Sequence, residues 1–574
     1  MADDTTPTTA GKPRTKRQLA MARWGALKNE RSTWFAHWSE ITNYVLPRNG
    51  RYFVSDRNRG QRRHNAIYDN TGTMALNTLA AGMMSGMTSP ARPWLAFAVE
   101  DKTLMESTAV KQWLQDVTDI VLGIFRKSNV YNVLHQLYTE LGAFGTCAAI
   151  MLDDFKDVMR LYPLTVGEYA IATDWRGQVC TVYREFQKTT AEVVTEFGRE
   201  NCSPALVQRF DRGDLDSWVT ILQCIEPRAD RDATKLDAQN MAWTSTYWEI
   251  GGTPDKPLRD GGYESFPALV ARWNLAGGDI YGNSPGMMAL GDVKALQQEQ
   301  LRKAQAIDYM TKPPLQMPTA MKNREVDGMP GGVTYLDNTG SAGTRNLFDV
   351  QLNLQHLSAD IQQTQGRILQ TFFADLFLMV ANSTNPNMTA TEVAARQEEK
   401  MLMLGPVLER MDNELLTPLV SGTYNRALRA GVLPPAPPEL HGKPLQVEYI
   451  SVLAQAQRAI GTNSVDRFVA QMAQVIAPIK PEVLDNFDVD EWIRSYSAML
   501  NVDPSMIVDS DKVMALRKAR AQAQAQAAQA QQGNLAADTA QKLASAPTKG
   551  GGSNALQDML NQFSGYGSPS PSQV

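Results

Sequence analysis

Residues 285–380 constrain the fold more than any other part of the chain, because two long helical patterns bracket a stretch that cannot be helical. In the first pattern, 285–310, Leu290, Val293, Leu296, Leu301, Ala304 and Ile307 share one apolar face. In the second, 353–380, Leu354, Leu357, Ile361, Ile368, Phe372, Leu376 and Met379 recur at close to seven-residue double steps. At a rise of about 1.5 Å per residue each helix is roughly 40 Å long, more than a compact globule usually needs. Between them, 311–352 holds KPPLQMP, DGMPGG and NTGSAG, with one short strand signal, VTYL. Proline and glycine end the helices and force turns there. A small extended lobe at the tip of a helical pair is expected, since an ordinary helical hairpin uses a much shorter connection.

The flanking regions differ in texture. Leu19, Trp24, Leu27, Trp34, Trp38, Ile41 and Val45 fall mostly at helical spacings and predict an amphipathic helix from Lys16. From Gly145 to Leu275 short alternating runs such as CAAIML, QVCTVYREF and WTSTYWEI predict strands, with a small helix at TTAEVVTEF behind a Thr189–Glu192 capping box. The fold class is therefore α+β and helix-rich. After the second long helix, ANSTNPNMT is a polar loop. A further helix follows, interrupted at Gly405-Pro406 and again at Pro418, where a missing N–H and a steric clash predict a kink. LQVEYIS returns briefly to strand character, and helical segments run on to about Asp509. Residues 1–15 and the Ala/Gln-rich tail, 512–574, are expected to lack a packed core, the final part being disordered.

The only hint of catalysis is Gly282-Asn283-Ser284-Pro285-Gly286, which fits the Gly-x-Ser-x-Gly pattern of a hydrolase nucleophile. That device needs a backbone N–H on the residue after serine, and Pro285 has none. The sequence instead reads Ser284 as a helix N-cap and Pro285 as the first helical residue. A phosphate-cradling Gly-x-x-x-x-Gly-Lys-Ser/Thr and a His-Glu-x-x-His are both absent, and five scattered histidines leave little material for acid–base chemistry. No catalytic residue, metal site or cofactor is expected.

Charge and cysteine usage narrow the partners. The formal charge of −5 supplies no broad field for nucleic acid. The local exception is PRNGRYFVSDRNRGQRRH, Arg-rich around Tyr52 and Phe53, which reads either as a phosphate- and base-contacting segment or as a solvated loop pairing with acids. Four separated cysteines suggest neither zinc nor a disulfide framework. No secretory signal is evident, and TMALNTLAAGMMSGMT is too short and too polar to span a bilayer, so no stable membrane insertion is expected. Its small residues suit tight helix packing.

Several blocks, in order, resemble the head-to-tail connecting (portal) proteins of short-tailed bacteriophages: MTSPARPW, YTELGAFGT, RWNLAGGDIYGNSPGMMALGDVKALQ, MTATEVAARQEEKMLMLGPVLERMDNELLTPL and LQVEYISVLAQAQR. The resemblance covers nearly all of 16–509, and nothing is carried over to the tail. It implies a dodecameric ring at one capsid vertex of the virion, assembled in the host bacterial cytoplasm, through which double-stranded DNA is packaged and ejected. The implied partners are further copies of the chain, a terminase motor, a tail adaptor, and the major capsid and scaffolding proteins. The implied parts are an α/β wing (16–284), stem helices (285–310 and 353–380), a clip (311–352) and a channel loop (381–389) containing Asn382, Ser383, Thr384, Asn385, Pro386 and Asn387. A kinked wing helix with its return strand (390–450), broken at Gly405 and Pro406, and a helical crown (451–511) complete the set. Lys294, Arg302, Lys303 and Arg367 are candidates for facing DNA in the stem, with intersubunit ion pairs as the competing reading. From Leu290 to Gln370 eight basic residues balance eight acidic ones, which suits sliding of a polyanion better than gripping it. Two other functions compete. An internal virion or ejection protein would bind liposomes without forming rings, and an esterase using Ser284 would react with a serine-directed probe.

Overall fold

The computed structural model describes residues 14–52, 66–311, 315–316, 345–346, 354–381, 404–449 and 510–545 and the single residues 492 and 563, apart from 102, 103, 105, 106, 233, 236, 253, 254, 441, 442 and 444. The chain divides into two units, Met1–Met105 with Trp113–Val475, and Glu106–Gln112 with Ile476–Val574.

In the first unit, α1 (Lys16–Tyr44) starts at a capping box in which Thr15 and Gln18 satisfy each other's backbone N–H groups. Its buried side chains, Trp24 and Leu27 among them, pack onto a five-stranded antiparallel sheet. That sheet has the order β4-β5-β6-β7-β8, from Tyr169–Thr173, Val179–Thr189, Trp218–Pro227, Trp243–Glu249 and Arg259–Tyr263. The β5–β6 connection carries α5 (Thr190–Phe197), opened by the Thr189–Glu192 capping box, and α6 (Pro204–Asp211). Val193, Val194, Phe197 and Leu206 close that side with Ile221 and Tyr247. A second sheet has the order β3-β2-β9, from Val158–Leu164, Thr146–Asp154 and Ala268–Arg272. A third pairs β1 (Leu95–Val99) with β12 (Leu445–Tyr449), antiparallel, with Phe97 opposite Val447. The architecture is α+β, with antiparallel sheets set among long helices.

The helical layer consists of α2 (Thr71–Met87), α3 (Thr108–Lys127, whose first residues belong to the second unit), α4 (Val130–Phe144), α7 (Pro285–Thr311), α8 (Leu354–Thr371) and α9 (Ala374–Ala381). The small residues of α2 let its neighbours close in. A Cβ at Gly82 would overlap the Phe377 ring of α9, and one at Gly72 would lie 3.1 Å from Val293 of α7. The tip between α7 and α8 is described only where β10 (Leu315–Gln316) pairs with β11 (Arg345–Asn346).

Two helical patterns are less regular than their periodicity suggests. The one expected over 353–380 is broken after Thr371: Phe372 is fully buried, and Phe373 adopts φ +54, the left-handed region disfavoured for a bulky residue. Its ring lies 6.3 Å from Trp273. In the other, α10 (404–411) continues through a π-helical segment, Asp412–Leu416, into α11 (Thr417–Arg429). Thr417 N–H bonds to Asp412 O, five residues back. The irregularity therefore lies just before Pro418. A proline there would press its ring on the Glu414 carbonyl of a regular helix, and widening the turn relieves that clash.

In the second unit, α12 (Ser510–Ser545) is a helix of 36 residues with almost every described side chain exposed.

Candidate functional site

The sheets and the long helices meet where α4 ends. Gly145 terminates α4 with φ +76, and the last carbonyls of the helix lack intrahelical donors. Three distant segments supply them: Ser284 Oγ donates to Ala143 O (2.7 Å), Trp38 Nε1 to Phe144 O (3.3 Å) and Trp273 N to Gly145 O (2.9 Å). Ser284 Oγ also accepts from Met287 N at 3.0 Å and thereby caps α7. The hydroxyl is fully buried and committed in both directions, so it is not placed to attack a substrate. Both glycines of the motif are sterically required. A Cβ at Gly282 would lie 2.2 Å from Gly145 O, and one at Gly286 would lie 2.6 Å from Ala143 O. Tyr281 accepts Ile171 N at 3.2 Å and packs edge-on against Trp38. The YGNSPG stretch is thus a welded joint between α4, the sheets and α7.

Next to it, Arg272 at the end of β9 is 2% exposed and clamps Glu414 of the π-helical segment. Its Nη2 meets Glu414 Oε1 at 2.7 Å, while Nε and the backbone N donate to Oε2 at 3.2 and 3.0 Å. The same Nη2 reaches Gly177 O at 2.7 Å in the β4–β5 turn. A fork-shaped cation is needed to hold a carboxylate and a turn at once. On α4, Glu140 is 6% exposed and receives Asn49 Nδ2 at 2.9 Å. Burial, reinforced by the nearby Glu168, pushes its pKa up to about 8, against the pull of Thr165, Val166 and Asn49.

The α7–α8 pair is clasped at Asp69. Gln300 and Gln365, one from each helix, donate to Asp69 Oδ2 at 2.9 and 2.8 Å, and Gln297 Oε1 accepts Tyr68 N and Asp69 N. Burial alone would raise the Asp69 pKa, but hydrogen bonds from Thr71, Gln365 and Gln300 outweigh it and hold the carboxylate below its usual range. Of the four basic stem candidates, Lys294 pairs with Glu40 at 2.7 Å and Arg367 with Asp292 at 3.1 Å. Arg302 is exposed and Lys303 half-buried, and neither meets a carboxylate among the described residues. Gly405 and Pro406 lie in the first described turn of α10, away from the π-helical segment. Asn382, Ser383, Thr384, Asn385, Pro386 and Asn387, most of 311–352, and nearly all of 451–509 lie outside the described residues.

Asp69, Gln300, Gln365, Arg272 and Glu414 carry this framework and went unremarked in the sequence, where each is an ordinary polar residue far from its partner. Among the described residues no His, Cys, Asp and Glu cluster could hold a metal, and no helix is long and apolar enough to cross a membrane.

Residues 17–508 match the family model described as bacteriophage head to tail connecting protein. The chain belongs to that family. It is 56% identical over 553 residues to the "Probable portal protein" of Bordetella phage BPP-1, covering 96% of this chain and 99% of that protein. It is 43% identical over 536 residues to the "Portal protein" of Salmonella phage epsilon15, covering 93% and 96% respectively. Among solved structures, "Neck of empty GTA particle computed with C6 symmetry" aligns over 76% of this chain and 90% of that one, with a TM-score of 0.35 and 11% identity. That score supports no detailed superposition. Membership and the two portal relatives make this a head–tail connector protein of the bacteriophage type.

Proposed function

We propose that copies of this chain form a closed ring at one vertex of the capsid, that double-stranded DNA passes through it during packaging and ejection, and that the packaging motor and tail adaptor dock on it. Its place is then the virion, where head meets tail, and its role is that of a conduit, with nucleotide hydrolysis supplied by a separate motor. The observation that carries the reading is the α7–α8 pair, welded to the sheets at Ser284 and Gly286 and clasped at Asp69. Beyond that clasp the far half of α7 leaves Ile307, Tyr309 and Met310 exposed in a single chain, as expected of a helix completed by neighbours.

The dimensions agree. Twelve such helices side by side at about 10 Å give a circle of roughly 120 Å, hence about 38 Å across at the axes and about 28 Å inside. That is wider than a DNA duplex. The pairing of Lys294 and Arg367 with acids of the same chain lowers the positive charge available to phosphates, which favours passage over tight binding. The loop 382–387 is assigned to the channel wall on the family resemblance.

End-on electron microscopy of the purified chain tests the ring: closed rings with a central opening are expected, and monomers or unringed aggregates under all assembly conditions would overturn the proposal. Shortening 382–387 is expected to leave rings intact and impair DNA retention or packaging. Unchanged packaging would remove the loop from the channel wall.

A further inference from the structure

The β2–β3 hairpin ends in a feature that the single chain does not use. Asp154 pairs with Val158, leaving Phe155, Lys156 and Asp157 as the turn. Phe155 is fully exposed, the most exposed of the large apolar side chains described. The turn is nevertheless ordered: Asp154 Oδ1 accepts Lys156 N at 2.8 Å and Asp157 N at 3.4 Å. Val158 holds φ +70, a conformation costly for a β-branched residue and natural to glycine. The turn closes the hairpin, but the phenyl ring at its tip is not buried against anything in its own chain.

The same chain carries a hollow that fits such a ring. A cavity of about 450 Å³ lies between α4, the end of β3 and the turn after α1. Leu137, Pro163 and Leu164 supply apolar wall and Tyr162 an aromatic one, its ring already stacked by the Arg184 guanidinium at 4.6 Å. Asn49, Thr139 and Thr165 are polar, Gln136 is an exposed rim and Arg48 an exposed cation. The one carboxyl in its lining, Glu140, is held neutral at pH 7 by burial, so the mouth keeps the positive charge of Arg48. The turn itself carries Asp154 and Asp157 against Lys156, with the exposed Arg160 of β3 acting on Asp154 from behind, so the acidic excess that complements Arg48 is confined to the tip. They sit at opposite ends of β3, whose seven residues span roughly 20 Å, so Phe155 cannot reach the cavity of its own chain.

We infer that Phe155 of one copy inserts into the Leu137–Tyr162–Leu164 cavity of the next, with Arg48 against the acidic turn. A knob and a hole at different places on one subunit make a head-to-tail contact, which closes into a ring when the rotation allows. This contact rests on the ring proposed above and specifies one of its joints.

The test uses the full chain, with assembly followed by mass photometry and sedimentation velocity. Phe155→Ala is expected to melt as wild type does, because the side chain is exposed, yet to need at least tenfold more protein to form rings, a lower bound for truncating a buried aromatic anchor. Phe155→Tyr should restore assembly, and Gln136→Trp, which fills the cavity from its rim, should block it. An equimolar mixture of F155A and Q136W retains one working knob and one working hole, so it should yield one-to-one pairs and no rings. Phe155→Cys combined with Gln136→Cys, oxidised at the raised protein concentration at which F155A assembles, should give a ladder of disulfide-linked multimers, while either cysteine alone gives none. Wild-type rings together with unaltered assembly of F155A and Q136W would overturn the contact and leave the ring proposal standing. Normal rings from F155A that fail only in complete particles would assign Phe155 to a different protein and also overturn it. A wild-type chain that never forms rings would overturn both.

Discussion

Replacing Glu140 with glutamine should change the stability of the protein by an amount that depends on pH in a calculable way. The carboxyl is 6% exposed, and burial pushes its pKa up to about 8 from an ordinary value of 4.5. Below pH 4.5 both folded and unfolded chains hold the proton, and the stability it confers on the fold is fully present. Between pH 4.5 and about 8 the unfolded chain has released the proton while the folded chain keeps it, so wild-type stability falls by about 1.4 kcal/mol for each pH unit. At pH 7 the accumulated loss is about 3 kcal/mol. Above about pH 8 both forms are ionised and the loss levels off. Glutamine retains an oxygen to accept Asn49 Nδ2 and does not titrate. The amide nitrogen of glutamine cannot accept from Thr165 or Val166, a cost that is the same at every pH, so the stability of Glu140→Gln relative to wild type should rise by about 3 kcal/mol between pH 4.5 and pH 7, groups common to both proteins cancelling in the comparison. Urea denaturation of both proteins from pH 4.5 to 8 measures the difference. A constant offset across that range would refute the burial argument.

Glu414→Leu is expected to cost about 3–5 kcal/mol in denaturant, because it strands the buried Arg272 charge, and Arg272→Met to cost less, because Arg410 remains 3.8 Å from Glu414. The double replacement should recover part of that loss, and simple additivity of the two single effects would contradict a direct pair. Gly286→Ala and Gly291→Ala, five residues apart on α7, should move melting in opposite directions. At Gly286 the new methyl meets Ala143 O at 2.6 Å and destabilises by roughly 1–3 kcal/mol, whereas Gly291 faces open space and alanine gains up to about 1 kcal/mol of helix propensity.

Much of the local structure is legible in sequence because it is decided within a few residues. Ser284-Pro285 starts a helix by one side-chain hydrogen bond and one fixed φ, and Thr189–Glu192 closes a capping box three residues long. The apolar stripes of α1 and α7 likewise announce themselves by period, and Pro285 alone removes the hydrolase reading by lacking an N–H. The break at Phe373 and the widened turn before Pro418 escape periodicity, since aromatic and proline residues perturb a helix differently according to what they pack against. β1 pairs with a strand some 350 residues away, and Arg272 finds Glu414 at a separation of 142. Asp69, Gln300 and Gln365 become a clasp only once α7 and α8 have docked on the segment that precedes α2. The sequence by itself determined where most of the described helices and strands lie, though not their internal breaks, because backbone hydrogen bonding and side-chain period are local. The tertiary structure alone decided which carboxylates are held by which donors, because buried charge and hydrogen-bond geometry exist only after distant surfaces exclude water together.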